Sequence, residues 1–241
     1  MIKIHSVETM GALDGPGIRI IFFLQGCPLR CLYCHNPDTW NTTGGCDYLA
    51  IEIIEKALKY KPYFKNNGGI TFSGGEPLSQ AEELLKAMKL AKESGLHTAL
   101  DTAGYYTCKE SVISELLEYT DLVILDIKHE EREMYKKITG LEIDRHKSFK
   151  DLLEKAKSKI WLKHVVVPGL TDDVAHMKTL EKEAKTYPLD RVEKLELLPY
   201  HSLGEMKYEE LGISYPLIGT EEMDMEKLKE LKKHIKLDCL I

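Results

Sequence analysis

The chain has 241 residues, 43% apolar and 30% charged, which is ordinary globular usage and excludes disordered, collagen-like and coiled-coil classes. Lys and Arg number 33 against 39 Asp and Glu, a net charge of −6, so nothing draws the chain generally to nucleic acid or to anionic lipid. No apolar run reaches the roughly 20 residues needed to span a bilayer, and Met1 to Glu8 lacks a basic stretch followed by an apolar one, so a soluble cytoplasmic protein is expected, one domain over 1–241.

Runs rich in Ile, Val, Leu and Phe predict six strands, at Ile18 to Leu24, Ile70 to Phe72, His97 to Leu100, Leu122 to Ile127, Ile160 to Val167 and Val192 to Leu198. Helical periodicity lies between them, as in Ala81, Leu84, Leu85, Met88 and Ala91, and again in Val112, Ile113, Leu116 and Leu117. Ser79 with Glu82 and Thr107 with Glu110 read as capping boxes, and Thr171 and Thr220, each followed by acidic residues, as further N-caps. Strands alternating with crossovers of a dozen or more residues predict a parallel α/β sheet, open or closed into a barrel.

In a βα barrel the loops after the strands carry the chemistry. Each predicted strand ends in a candidate: Gly26-Cys27, Ser73-Gly74-Gly75-Glu76-Pro77, Asp101-Thr102, Asp126-Ile127-Lys128, Pro168-Gly169 and Pro199-Tyr200-His201. The first is the most specific. Cys27, Cys31 and Cys34 place three thiols within eight residues. In a chain without an export signal, such a group suggests metal or redox chemistry before disulfides. A structural zinc site or a closed cluster takes four protein ligands, so three thiolates leave one metal position open; a zinc site completed by His35 or Cys46 is the competing reading. Cys108 and Cys239 read as small buried apolar residues.

Together, Cys27-x-x-x-Cys31-x-x-Cys34 with Tyr33 before the last cysteine, and Gly74-Gly75-Glu76-Pro77 downstream, resemble the radical S-adenosylmethionine enzymes. Asp14-Gly15-Pro16-Gly17-Ile18-Arg19, Tyr33-Cys34-His35-Asn36-Pro37, Asp126-Ile127-Lys128, Val165-Val166-Val167-Pro168-Gly169 and Leu197-Leu198-Pro199-Tyr200-His201 extend the likeness, almost end to end, to the activases of glycyl radical enzymes.

The resemblance implies a partial, six-stranded βα barrel. Cys27, Cys31 and Cys34 would hold one 4Fe-4S cluster and so be the catalytic residues, with S-adenosylmethionine on the open iron. Tyr33, Cys34 and His35 would face its adenine, Gly74, Gly75 and Glu76 its ammonium, and Lys128, beside Ile127, its carboxylate or ribose. His201 would meet the nucleoside, and Asp101 and Asp126 would flank a monovalent cation near the sulfonium. Asp14 and His35 would meet the peptide loop of the partner.

The implied reaction is reductive cleavage of S-adenosylmethionine, the 5′-deoxyadenosyl radical taking a hydrogen atom from a glycine Cα of pyruvate formate-lyase. The alternatives are another glycyl radical enzyme or a small-molecule substrate. A flavodoxin or ferredoxin electron donor and a monomeric state are implied as well.

Several residues have plainer readings. Asp126 with Lys128 reads as a salt bridge at a sheet edge, His201 as an ordinary loop histidine, and Glu130 to Glu133 and Lys227 to Lys233 as solvated helix faces. Lys163 stands where the family shows arginine. Cys46 is expected to ligate nothing. His5, His97, His129, His146, His164, His176 and His234 show no metal-pair spacing.

Overall fold

A computed structural model describes residues 1–239. In chain order the elements are strands β1 (Ile2–Gly11), β2 (Arg19–Leu24) and β3 (Cys46–Tyr48), helix α1 (Ala50–Phe64), β4 (Gly69–Gly74), α2 (Ala81–Glu93), β5 (His97–Thr102), α3 (Glu110–Glu118), β6 (Leu122–Asp126), α4 (Arg132–Thr139), α5 (Asp144–Lys155), β7 (Lys159–Val166), α6 (Val174–Ala184), β8 (Val192–Pro199), α7 (Glu205–Glu210) and α8 (Met225–Lys232). The six expected strands are β2, β4, β5, β6, β7 and β8, each within a residue or two of its predicted limits. β1 and β3 are additions. The fold is α/β and mostly parallel, with helices between successive strands.

The chain forms two compact units, each discontinuous in sequence. The first takes Met1–Pro28, Thr39–Leu125 and Asp144–Ile160; the second takes Leu29–Asp38, Asp126–Ile143 and Trp161–Ile241.

In the first unit the strand order is β3-β1-β2-β4-β5-β6. β2 to β6 pair in parallel, Phe22 beside Phe72 and Phe72 beside Leu100, while β1 and β3 pair antiparallel at the other side. Ile20, Phe22, Ile70, Phe72, Ala99 and Leu100 are fully buried, as are Leu84, Ala87, Met88 and Ala91 of α2 and Ile113 and Leu116 of α3, so the apolar stripes of those helices cover the sheet. β4 and β6 are buried along nearly their whole length, and Leu122 to Leu125 of β6 form the continuous apolar run that burial on both faces favours.

Arg19 opens β2 and is wholly buried. Its guanidinium donates to Thr71 Oγ1 (2.6 Å), Ile70 O (2.7 Å) and Pro16 O (3.1 Å), and Thr71 Oγ1 donates to Asp14 O (2.7 Å). The Asp14-Gly-Pro-Gly loop is thereby fixed against β4. Burial lowers the Arg19 pKa to about 10, opposed by Asp121 and Asp14, so it stays charged at neutral pH.

In the second unit β7 lies beside β8, and α6 and α8 pack with it. Tyr200 N donates to Val166 O and Met223 N to Tyr200 O, both near 3.0 Å, which ties the end of β8 into the unit.

The expected caps are corrected. α2 begins after Gln80 and α3 after Lys109, neither with a side-chain cap, so Ser79 and Thr107 cap nothing. Asp173 caps α6 and Asp224 caps α8, rather than Thr171 and Thr220. Aspartate is the better acceptor at that position. The Thr171 hydroxyl is spent inside the preceding turn, donating to Val165 O and accepting from Val167 N.

Candidate active site

The first unit presents the ends of β2, β4 and β5. After β2, Gly26 N donates to Thr39 O (2.7 Å), and the Gly74-Gly75-Glu76 segment lies against this loop, Gly75 N donating to Leu24 O (2.9 Å) and Glu76 N to Gly26 O (3.0 Å). Gly74 has φ +112°, and a Cβ there would stand 2.3 Å from Leu24 N; one on Gly75 would stand 2.4 Å from Gly26 O. The glycine pair is thus required by the approach of the cysteine loop itself.

The Glu76 carboxylate is buried and already occupied. It accepts from Leu78 N (3.0 Å), Ala103 N (2.9 Å) and Thr102 Oγ1 (2.5 Å), joining the β4 loop to the end of β5. Asp101, half-buried, accepts from Ser73 Oγ (3.3 Å). Asp14 lies in the loop before β2, its carbonyl held by the Thr71 hydroxyl (2.7 Å). Cys46 is exposed on β3.

The second unit holds the rest of the cysteine loop, so Cys27 belongs to the first unit and Cys31 and Cys34 to the second. Arg30 N donates to Thr139 O (2.8 Å) and Leu32 N to Ile138 O (2.9 Å), pinning the loop to the end of α4; Cys34 N donates to Cys31 O (3.1 Å), closing a turn. Past Cys34, Lys207 Nζ donates to Asn36 Oδ1 (2.8 Å) and Asp38 Oδ2 (3.0 Å). Gly204 packs so closely that a Cβ would lie 2.9 Å from His35 Cα. Sequence reasoning missed Lys207, Gly204 and the role of Arg19, because each acts on a segment distant in sequence or on backbone.

Lys128 Nζ donates to Asp126 Oδ2 (2.8 Å) and lies 5.4 Å from the Tyr33 ring centroid. The plainer reading of this pair, a salt bridge, is therefore present, at the end of an interior strand rather than at a sheet edge and with an aromatic face beside it. Burial disfavours the Lys128 charge, but Asp126, Tyr33 and Cys31 outweigh it and hold its pKa well above the ordinary lysine value. Burial pushes the Tyr33 phenol up, against Lys128, so it remains protonated. Ile127 is buried, its N–H donating to Lys163 O (2.8 Å). Lys163 thus contributes a carbonyl to this strand end.

His35 Nε2 donates to His201 O (3.1 Å), and the two rings lie 4.2 Å apart. Burial lowers the His35 pKa, keeping it neutral at pH 7. His201 is therefore no isolated loop histidine.

Cys27, Cys31 and Cys34 form no disulfide, and each is half-buried. The Tyr33 hydroxyl and His201 Nδ1 are buried without a hydrogen-bond partner. Soft sulfur donors on one loop, together with polar atoms in the second unit whose bonding capacity the protein leaves unused, fit a thiolate-bound cluster and a polar cofactor. Cys108 and Cys239, expected to be buried, are only half-buried.

The chain belongs to the Radical SAM superfamily, which it matches over residues 21–180, and is an enzyme of that superfamily. It is 51% identical over 98% of both chains to the pyruvate formate-lyase-activating enzyme of Clostridium pasteurianum, and 42% identical to that of Staphylococcus epidermidis over 96% of this chain and 94% of that one. A domain of pyruvate-formate lyase-activating enzyme from Bacteroides vulgatus superposes with a TM-score of 0.55 at 21% identity, over 70% of this chain and 92% of that one, a likeness of fold. Family membership implies a 4Fe-4S cluster and S-adenosylmethionine. Among the described residues no helix is long and apolar enough to cross a membrane.

Proposed function

We propose that this protein activates pyruvate formate-lyase by generating a radical on a glycine Cα of that enzyme. The reading is carried by Cys27, Cys31 and Cys34 at their family spacing, in a chain 51% identical to an activating enzyme of that name. The whole of 1–241 acts as one radical S-adenosylmethionine domain in the cytoplasm, as a monomer, reduced by a flavodoxin or ferredoxin.

Bound together, the cluster and S-adenosylmethionine supply one-electron reductive chemistry and a hydrogen-abstracting alkyl group. Cys27, Cys31 and Cys34 hold the cluster as thiolates. Carbonyls of the Gly74-Gly75 segment receive the cofactor's ammonium, and Glu76, whose carboxylate is occupied, acts by holding that loop in shape. Lys128, kept cationic, takes the cofactor's carboxylate or ribose, with Ile127 packed beside it. The unpartnered His201 Nδ1 donates to or accepts from the nucleoside, and Tyr33, Cys34 and His35 face its adenine. Asp101 and Asp126 supply oxygens to a monovalent cation. Asp14 and His35 meet the partner's glycine-bearing loop. A glycine suits this site because its backbone enters without a side chain.

The test is anaerobic protein with a full iron complement, mixed with dithionite and S-adenosylmethionine. Formation of 5′-deoxyadenosine, with a glycyl doublet in electron paramagnetic resonance when pyruvate formate-lyase is added, is the expected result. Cleavage without that doublet, but with one on another glycyl radical enzyme, would reassign the partner. No 5′-deoxyadenosine would overturn the reading altogether.

A further inference from the structure

We propose that His129, Glu130 and His176 form a second metal site, separate from the cysteine loop, for a divalent ion of the Zn2+ class, with His164 as its positioning residue. All four lie in the second unit. His129 and Glu130 follow β6, His164 is on β7, and His176 is in the first turn of α6. The expectation that Glu130 lies on a solvated helix face is corrected: its side chain is 9% exposed, beside His129 at 5%. His164 is fully buried.

The hydrogen bonds fix the tautomers. Ile127 O only accepts, so His164 Nδ1, at 2.7 Å, carries the proton and donates to it. His164 Nε2 then bears a lone pair, and His176 Nε2, at 3.0 Å, must be the donor. That leaves a lone pair on His176 Nδ1, which faces Glu130 Oε1 at 3.6 Å. His129 Nδ1 accepts from Glu131 N (3.1 Å), so it too bears a lone pair, 3.7 Å from Glu130 Oε2, an oxygen buried without a hydrogen bond.

His176 Nδ1 and Glu130 therefore face each other as two electron-pair donors with no hydrogen between them, and the lone pair of His129 Nδ1, held by the Glu131 amide, lies beside them, the ligand atoms of all three within 4.8 Å of one another. A cation satisfies Glu130 and His176 at once and draws in His129. A proton on Glu130, whose carboxyl burial raises to about 7, can serve only one of the two gaps. Gaps of 3.6 and 3.7 Å are long for a hydrogen bond but close to the edge, about 3.4 Å, of a tetrahedron with metal–ligand bonds of about 2.1 Å. Two imidazoles and a carboxylate suit Zn2+ over the hard alkaline-earth ions. The Ile127–His164–His176 relay is the outer hydrogen-bond support that metal-bound histidines need. On binding, His129 exchanges the Glu131 amide for the ion, and Lys128 offers no competing ammonium because Asp126 holds it. The ion would tie the β6 loop that carries Lys128 to β7 and α6.

Anaerobically assembled holoenzyme is equilibrated with micromolar Zn2+, passed over chelating resin and analysed for zinc and iron by mass spectrometry. Retention of about one zinc per chain is expected. Glu130→Gln, nearly isosteric, and His176→Ala should lose the zinc and keep the iron. His164→Phe should weaken zinc binding roughly 10- to 100-fold in chelator competition, and His164→Gln, which keeps a donor and an acceptor, should recover most of it. No retained zinc in the wild type, or equal zinc in Glu130→Gln, would overturn the site and leave a proton-sharing histidine cluster. The iron content separates either outcome from failure of the cysteine loop.

Discussion

The two units treat buried polarity differently. In the first, the buried charges Arg19 and Glu76 are met by backbone groups and hydroxyls of the same unit. In the second, the Tyr33 hydroxyl, His201 Nδ1 and Glu130 Oε2 are buried and end on nothing. An unmet buried polar atom costs about 1–3 kcal/mol, so these three atoms of the second unit give up stability that Arg19 and Glu76 retain. The two charges of the first unit are completed by its own folding, and these three atoms keep bonding capacity unused.

Substitutions should therefore cost stability in one unit and ligand affinity in the other. The largest effect is expected at Arg19→Met, which strands Ile70 O, Pro16 O and Thr71 Oγ1 together: about 3–5 kcal/mol, or about 10 °C in melting temperature by calorimetry. Glu76→Gln should lose about 2 kcal/mol, about 5 °C in a fluorescence melt, because a neutral amide accepts more weakly from Thr102, Ala103 and Leu78. His201→Ala should reverse the pattern, with melting unchanged within about 2 °C and S-adenosylmethionine bound about 10-fold more weakly in titration calorimetry. A large melting shift with affinity intact would break the comparison.

The smallest effect is in pH. Burial lowers the pKa of His129, His164 and His176, so below the ordinary value of 6.5 the unfolded chain takes up protons that the folded chain refuses, and stability falls as the pH drops. Glu130, raised from 4.5 to about 7, works the other way: its contribution is full below 4.5 and is lost as the pH rises through 7. Denaturant titrations between pH 7 and 5 should show a steeper acid loss in Glu130→Gln than in the wild type.

Much of this was legible in the sequence. β2 and β6 announce themselves as continuous apolar runs, β7 and β8 by alternation of buried and less buried positions, and the stripes of α2 and α3 fall on the predicted residues. β1 escaped because it alternates buried and exposed positions with few large apolar residues, and β3 is three residues long. The cysteines and the glycine pair were found because their spacing is local. His129, His164 and His176 were not, since they meet only through three separate elements, and Lys207 reaches Asp38 across 169 positions. Even where a motif was found its reason differed: Gly74 and Gly75 answer the closeness of Leu24 and Gly26, and Glu76 is turned inward.

The clamp from Lys207 to Asn36 and Asp38 has a bearing on biosynthesis. The stretch after Cys34 waits for residues made more than 160 positions later, a delay on the order of 10–30 s at common elongation rates. Throughout that interval the segment from Asn36 to Asp38 lacks its clamp, while the loop that carries Cys31 can already dock on the end of α4, so the two halves of this region are completed at different times during synthesis.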